Sequence, residues 1–278
     1  MRVPLATATL GSVNRSQRFR QAALVLAAHG SHLNPNSAAP CYALADAIRR
    51  RRLFGEVQEC FWKQEPPFRH VCQMLEASEI FVVPFFISDG YFTEKVLPRE
   101  LGVTGRKSHI DAKLVHYCPP VGTHDAMTQV ILHRAHAIVH RGVKHPPAPR
   151  ATALCIAGHG TSQNENSATS IHRQVELISR LDRYAEVQAI FMDQEPAIEK
   201  CYQFTRSPNL VIVPFFISDG LHTQEDIPDR LGLKRHPSGA YAVPSRVGRR
   251  RVWYSGAIGT DPRMVDVVLE RASRAAAN

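Results

Sequence analysis

The chain has 278 residues, of which 44% are hydrophobic and 21% charged, a composition typical of globular proteins and not of disordered ones. Its formal net charge of +9 leaves nucleic acid, an anionic membrane surface and a small polyanionic molecule open as partners. No apolar run approaches the ~20 residues that span a bilayer, and no nucleic-acid-binding motif accompanies the basic runs. We therefore expect neither a membrane nor a nucleic acid as partner.

The cysteines and the N-terminus bear on the cellular compartment. The six cysteines show no C-x-x-C spacing, and most lie in apolar or helical stretches. This pattern indicates reduced thiols and argues against a zinc ribbon or an iron–sulfur site. The first 21 residues lack the continuous apolar core of a signal peptide, so we interpret them as an N-terminal extension. A cytoplasmic protein is the resulting expectation.

An internal repeat organises the rest of the chain. A shift of 130 positions aligns Ala28–Gly102 with Gly158–Gly232 without a gap. Within that window "VPFFISDG" at Val83–Gly90 recurs unchanged at Val213–Gly220. After an insertion in the second copy the alignment resumes at an offset of 137, where "VGT" is matched by "IGT". The chain is therefore two copies of one domain.

The repeat sets the predicted domain boundaries. We expect an N-terminal extension over 1–21, a first repeat over 22–142, a linker over 143–150 and a second repeat over 151–278. The linker "VKHPPAPR" is marked by its prolines.

Both repeats show the same order of predicted elements. An apolar strand ends in His-Gly, at 22–30 and 152–160, and a helix follows at about 38–52 and 168–181. Further strands are predicted at 57–62 and 187–192, at 80–87 and 210–217, and before "GT", with a closing helix. Alternation of this kind predicts a parallel sheet flanked by helices, the α/β class.

In parallel α/β sheets, ligands bind beyond the carboxyl ends of the strands. In the second repeat this edge collects His159, Asn164, Asn166, Glu195, Ser218, Asp219 and His222. Two imidazoles and a carboxylate from different strands form a metal-ligand set with open coordination positions. The first repeat keeps His29 but carries Phe92 where the second carries His222, so only the second predicts a metal site.

These motifs resemble a known family. "HG" followed by Ser or Thr after the first strand, "EP" after the second and "PFFISDGLHTQEDIP" after the third are similar to the class II tetrapyrrole chelatases, in particular the sirohydrochlorin (CbiX-like) branch. The resemblance implies two tandem flavodoxin-like domains with a cleft between them, and ATP-independent insertion of a divalent metal into sirohydrochlorin. It places the two metal-binding histidines at His159 and His222, and the acidic catalytic partner at Glu195.

The same resemblance implies the substrates. The metal is Co²⁺, Fe²⁺ or Ni²⁺, for cobalamin or siroheme biosynthesis, and no organic cofactor is expected. A basic chain suits a tetrapyrrole with eight carboxylates, and one chain with two repeats predicts a monomer. Predicted substrate-binding residues are His29, Asn164, Asn166, Ser218 and Asp219.

Several alternatives stay open from the sequence. Glu195 is matched by Glu65 in the first repeat, so it could instead cap the helix that begins at Pro196. Ser218 and Asp219 occur in both repeats and could only form a turn, and His29 could line the cleft without a chemical role. A non-catalytic tetrapyrrole or metal carrier or sensor of the same fold is the alternative function. A nucleotide-binding domain is disfavoured because no G-x-G-x-x-G or P-loop follows either first strand.

Overall fold

A computed structural model describes residues 17–32, 37–160, 166–235 and 241–277. The strands of the first repeat are β1 (Ala23–Ala28), β2 (Glu56–Phe61), β3 (Glu79–Pro84), β4 (Lys107–Ile110) and β5 (Lys113–Tyr117). Its helices are α1 (Ala39–Arg51), α2 (Leu97–Leu101) and α3 (Met127–His140). Single 3-10 turns lie at Phe68–His70 and Val121–Thr123, and a π-helical turn lies at Phe92–Val96.

The second repeat contains corresponding elements. Its strands are β6 (Thr152–Gly158), β7 (Glu186–Phe191), β8 (Asn209–Pro214), β9 (Ser245–Val247) and β10 (Arg250–Tyr254). Its helices are α4 (Asn166–Ser179), α5 (Cys201–Phe204), α6 (Ile227–Arg230) and α7 (Met264–Ala277). The 3-10 turns lie at Pro149–Ala151, Ile198–Lys200 and Ile258–Thr260, and the π-helical turn at His222–Asp226.

Each repeat forms one five-stranded sheet. The strand orders are β2-β1-β3-β5-β4 and β7-β6-β8-β10-β9, and only the edge strands β4 and β9 are antiparallel to their neighbours. The predicted α/β class with two tandem sheets flanked by helices is confirmed. The edge strands were not predicted, because "KSHI" and "SRV" are short and polar, without the apolar runs of the inner strands.

The inner strands are apolar because both of their faces are covered. Every residue of β1 and of β6 is buried. One face of each sheet belongs to a core cluster of its own repeat, and the opposite faces contribute to a single cluster that spans both repeats. Continuous burial of this kind accounts for the apolar sequences of β3 and β8, which read IFVVP and LVIVP after their first residues.

The closing helices are exchanged between the repeats. Helix α3 of the first repeat packs on β8 and β10 of the second, and helix α7 of the second packs on β3 and β5 of the first. The two sheets are therefore locked together through helices that each repeat contributes to its neighbour. The repeat pattern alone does not reveal this exchange.

Two cavities lie between the repeats and are related by the repeat symmetry. One, of about 600 Å³, lies between α1 and the segment 259–265, and Asp219 lies on its wall. The other, of about 260 Å³, lies between α4 and Gly122–Thr123, and Asp89 lies on its wall. The turn after β8 thus faces the first repeat, and the turn after β3 faces the second.

All six cysteines are buried and carry free thiols. Among the described residues, no helix combines the length and the apolar character needed to cross a bilayer.

A histidine is buried at the junction of the repeats. His124 is almost completely buried, its Nδ1 accepts a hydrogen bond from Ala126 N–H (3.0 Å), and its Nε2 lies 3.4 Å from Glu270 Oε2. Burial, with additional repulsion from Arg271 and Arg274, lowers the pKa of His124 to about 4. The unfolded chain takes up this proton near pH 6.5, and the folded chain only near pH 4.

Stability should therefore fall as the pH falls through this window, because the unfolded state then binds more protons. His124→Asn keeps an acceptor for the amide two residues on, as Asp261 does for Arg263 N–H (2.9 Å) in the second repeat, but does not titrate. Between pH 6.5 and 4.5 the wild type should lose about 2 kcal/mol more of its free energy of unfolding than this variant. Urea unfolding at both pH values measures the difference, and equal losses would contradict it.

Candidate metal site

Two histidines lie at the carboxyl edge of the second sheet. His159 follows β6, and its neighbour Gly160 adopts φ +68° against the Gln194 side chain, where an added Cβ would lie only 2.6 Å from Gln194 Cγ. His222 opens the π-helical turn that follows β8. Strand ends that adjoin in the sheet thus present the two imidazoles on one edge, as the sequence predicts.

The two rings face each other at a separation suited to one ion. Their centroids are 5.1 Å apart and their planes are perpendicular, at 89°. An ion 2.0–2.1 Å from each ligating nitrogen lies about 3 Å from each ring centre, so two rings at a tetrahedral angle have centres about 5 Å apart. Both side chains are 46% exposed, so a metal ion can reach them from solution.

Carboxylates orient both rings. His159 Nδ1 lies 2.9 Å from Gly160 O and 3.1 Å from Asp193 Oδ2. His222 Nδ1 lies 2.6 Å from Asp226 Oδ2, one turn further along the chain. With Nδ1–H donated to oxygen, Nε2 of each ring carries a lone pair that is available to ligate a metal.

Glu195 makes local contacts instead of joining the histidines. Its Oε2 accepts a hydrogen bond from Ala197 N–H (3.0 Å), and its Oε1 pairs with Lys200 Nζ. These contacts lower the pKa of the Glu195 carboxyl, the pair with Lys200 having the larger effect. Across residues 17–32, 37–160, 166–235 and 241–277 no group of three or more His, Cys, Asp or Glu side chains is arranged to hold a metal.

The other predicted residues are spread around this edge. Asp219 Oδ1 accepts a hydrogen bond from Ala257 N–H (2.8 Å), and Ser218 lies half-buried beside it in the turn after β8. Asn166 is the exposed first residue of α4 and lines the smaller cavity. Asn164 lies outside the described residues.

The matching edge of the first repeat is an aromatic cluster. His29 keeps the contact of its Nδ1 with Gly30 O (2.9 Å), and its ring lies 5.0 Å from that of Phe92. Phe92 also packs against Trp62 (5.9 Å) and Phe86 (6.0 Å). The ring arrangement of the second repeat is thus retained, but its second nitrogen ligand is absent.

Comparison of the two repeats could have identified Asp193 and Asp226, the carboxylates that contact the histidines, which were not predicted. Lys63 stands at the position of Asp193, and Val96 at that of Asp226. Both carboxylates are therefore restricted to the repeat that has two histidines. The loss of acidic residues after Phe92 is visible in the sequence, but it does not by itself assign Asp226 to His222.

A family model matches both repeats. The CbiX family model matches the chain twice, over residues 23–138 and 153–275. This chain belongs to the CbiX family. The two matches also confirm the internal repeat of this CbiX-family chain.

Known proteins resemble the CbiX-family chain as a whole or in one repeat. A probable sirohydrochlorin cobaltochelatase of Halobacterium salinarum is 45% identical over 92% of each chain. A sirohydrochlorin cobaltochelatase of Methanopyrus kandleri is 27% identical over 44% of this chain and 96% of its own length, so it matches about one repeat. The solved structure of SirB from Bacillus subtilis with Fe³⁺ superposes with a TM-score of 0.71 at 20% identity, covering 92% and 96% of the two chains.

Proposed function

We propose that this chain is a sirohydrochlorin chelatase, a lyase that inserts a divalent metal ion into the tetrapyrrole at the His159–His222 pair. The facing imidazoles, with Nδ1 of each bound to oxygen and Nε2 available, carry this proposal. The whole-length relative named as a probable sirohydrochlorin cobaltochelatase supports the substrate. Co²⁺ is the first metal to test, with Fe²⁺ and Ni²⁺ as alternatives.

Metal insertion requires that the protein bind the ion weakly enough to release it to the tetrapyrrole. Neutral imidazoles bind Co²⁺, Fe²⁺ and Ni²⁺ less tenaciously than thiolates bind soft metals, and two of them leave coordination positions for pyrrole nitrogens. Asp193 and Asp226 raise the basicity of the ligating nitrogens through their contacts with Nδ1. Both carboxylates contact Nδ1, on the side of each ring away from the ligating Nε2, so they orient the ligands while another group accepts the pyrrole protons.

Glu195 retains its predicted role as an acidic partner within this proposal. It lies on the same loop as Asp193, two residues further along, and 67% of its side chain is exposed. Exchange of its Lys200 contact for water or substrate costs little, because ion pairs between exposed side chains are screened by solvent. The rate of metallation by the Glu195→Gln variant therefore distinguishes the two roles of Glu195. A large loss of rate indicates a proton acceptor, and an unchanged rate indicates a local loop contact.

Arginines beside the site suit a substrate with many carboxylates. Gln224, two residues after His222, lines both the cavity of about 600 Å³ and an adjoining one of about 680 Å³. Arg50 lies on the first cavity and Arg141 on the second. In the described part of the chain neither guanidinium is held by a hydrogen bond or ion pair, so both are available for charge-assisted contacts with carboxylates. One chain supplies all of these groups, and we propose a cytoplasmic monomer.

A metallation assay tests the proposal. Sirohydrochlorin and Co²⁺ in excess over purified protein should be converted over many turnovers, followed by the absorbance change of the tetrapyrrole. The His159→Ala/His222→Ala double variant is the control for non-specific catalysis by a folded protein. A rate equal to that of the control would overturn the proposal, and a single equivalent of product would identify the carrier or sensor instead.

A further inference from the structure

Each repeat extends one arginine into the other, Arg271 buried and Arg134 partly buried. Arg134 on α3 and Arg271 on α7 occupy equivalent positions, 137 residues apart. Arg271 Nη2 donates to Pro120 O (2.7 Å) and to Thr123 Oγ1 (2.6 Å), and Arg134 donates to Thr260 Oγ1. The exchanged helices are thus fastened by two symmetric contacts.

Arg134 lies between two carboxylates of the second repeat. Its Nε is 3.3 Å from Asp261 Oδ2. A Cβ added at Gly256 would lie 3.3 Å from Asp219 Oδ2 and 3.7 Å from Arg134 Nη1, so the Asp219 carboxylate and the guanidinium converge beside Gly256. Burial lowers the pKa of Arg134, while Asp261 and Asp219 oppose that shift. An arginine from the first repeat therefore compensates charge in the turn that precedes His222.

The Asp219 turn leads directly into the metal-binding segment. Asp219 is held on its other side by Ala257 N–H. The next residue, Gly220, donates its N–H to Thr223 Oγ1 (2.9 Å) and accepts a hydrogen bond from Gln224 N–H (2.9 Å). His222 lies within this hydrogen-bonded loop, so a displaced Asp219 would displace the imidazole.

The first repeat lacks the two groups that complete this anchor. Pro120 stands at the position of Ala257 and has no N–H to donate to Asp89. His124, largely uncharged when folded, stands at the position of Asp261. The local bonds from Gly90 are retained, with Thr93 Oγ1 at 3.0 Å. The full anchor therefore occurs only where the following turn carries a metal-binding histidine.

We infer that Arg134, contributed by the first repeat, is a positioning residue for the metal site of the second repeat and acts through Asp219. The inference rests on the proposed function and assigns the first repeat a task beyond forming a wall of the cleft. It also gives Asp219 a role in holding the turn that carries His222.

Co²⁺ titration, followed by the visible absorption of the bound ion, tests the inference without a tetrapyrrole. Arg134→Gln and Ala257→Pro should each raise the Kd for Co²⁺ about 10-fold, the scale of losses in groups that orient metal ligands. Ala257 has φ −57° and ψ 143°, close to the φ −62° and ψ 151° of Pro120, so the proline removes one N–H with little change of backbone.

Matched variants come from the first repeat. Arg271→Gln and Pro120→Ala alter the equivalent contacts around Asp89 and should leave the Kd for Co²⁺ within about 2-fold of wild type. Because Arg134 acts through Asp219, the double variant Arg134→Gln/Asp219→Asn should bind Co²⁺ as Asp219→Asn alone does. Independent, additive losses would overturn that route.

The failure of this inference differs from the failure of the proposed function. If Arg134→Gln and Arg271→Gln weakened Co²⁺ binding equally, the effect would show only a loosened junction between the repeats. If neither Arg134→Gln nor Ala257→Pro weakened Co²⁺ binding, Arg134 would have no positioning role. Wild-type protein that binds Co²⁺ but does not metallate sirohydrochlorin would refute the function and leave the inference standing.

Discussion

His222→Ala should abolish metal insertion, with a fall in kcat/KM of more than about 100-fold, beyond the 10–100-fold typical of orienting residues. The reason is geometric: among the described residues His159 is the one imidazole that faces His222 at a distance suited to one ion, and a single imidazole cannot retain the metal while the macrocycle approaches. His159→Ala should have an effect of the same size. Initial rates of sirohydrochlorin metallation with Co²⁺ measure both.

The first repeat supplies the controls for this prediction. His29→Ala removes an equivalent imidazole whose ring partner is Phe92, so activity should change only a few-fold. Phe92→His restores a second imidazole, but Lys63 and Val96 cannot orient the rings as Asp193 and Asp226 do. We expect no second active site from that change. A loss at His29 as large as that at His222 would contradict the asymmetry of the two repeats.

Gly259→Ala should destabilise the protein by about 3 kcal/mol, the upper end of the range typical of overpacking that forces the backbone to move. An added Cβ would lie 1.9 Å from Ile217 O and 2.5 Å from Ile217 C, which are backbone atoms with no rotamer to adjust. Gly259 N–H also donates to Phe216 O (3.0 Å), so separation of the two segments breaks a hydrogen bond. The displaced segment leads into the turn before His222, so residual activity should fall as well.

Gly220→Ala is the matched control for this prediction. Gly220 has an ordinary φ, and an added Cβ meets nothing within 4 Å. Its free energy of unfolding should stay within about 0.5 kcal/mol of wild type. Urea unfolding of both variants measures the contrast, and a small loss for Gly259→Ala would show that the close approach of the two backbones is not required.

Strands and helices with apolar sequences were predictable, but the sheet against which each closing helix packs was not. Burial on both faces produced the apolar runs of β1, β3, β6 and β8, and the repeated pattern located them. The closing helices were predicted, but an apolar helix face does not specify which sheet covers it. The exchange of α3 and α7 depends on tertiary packing across the repeats.

The metal site shows the same division. His159 and His222 were predicted because the strand ends of a parallel sheet share one edge. The repeat comparison also singles out His222, because the first repeat carries Phe92 at that position. Asp193 was not predicted because it lies outside the "QEP" motif that both repeats share and that contains Glu195. Its contact with His159 depends on the path of the loop after β7, which no local pattern specifies.

The repeats have diverged at functional positions while the scaffold was kept. The first repeat fills its sheet edge with the Phe92 cluster and contributes Arg134 and α3 to the second repeat. The second repeat carries both histidines and their carboxylates. Under the proposed function, this division explains how one chain can need two repeats and still have one metal site.

Anomalous diffraction from crystals grown with Co²⁺ measures the position of that ion directly. One peak is expected between the two imidazoles of the second repeat, about 2.1 Å from Nε2 of His159 and of His222. A peak of equal height beside His29, or none between His159 and His222, would contradict the single two-histidine site.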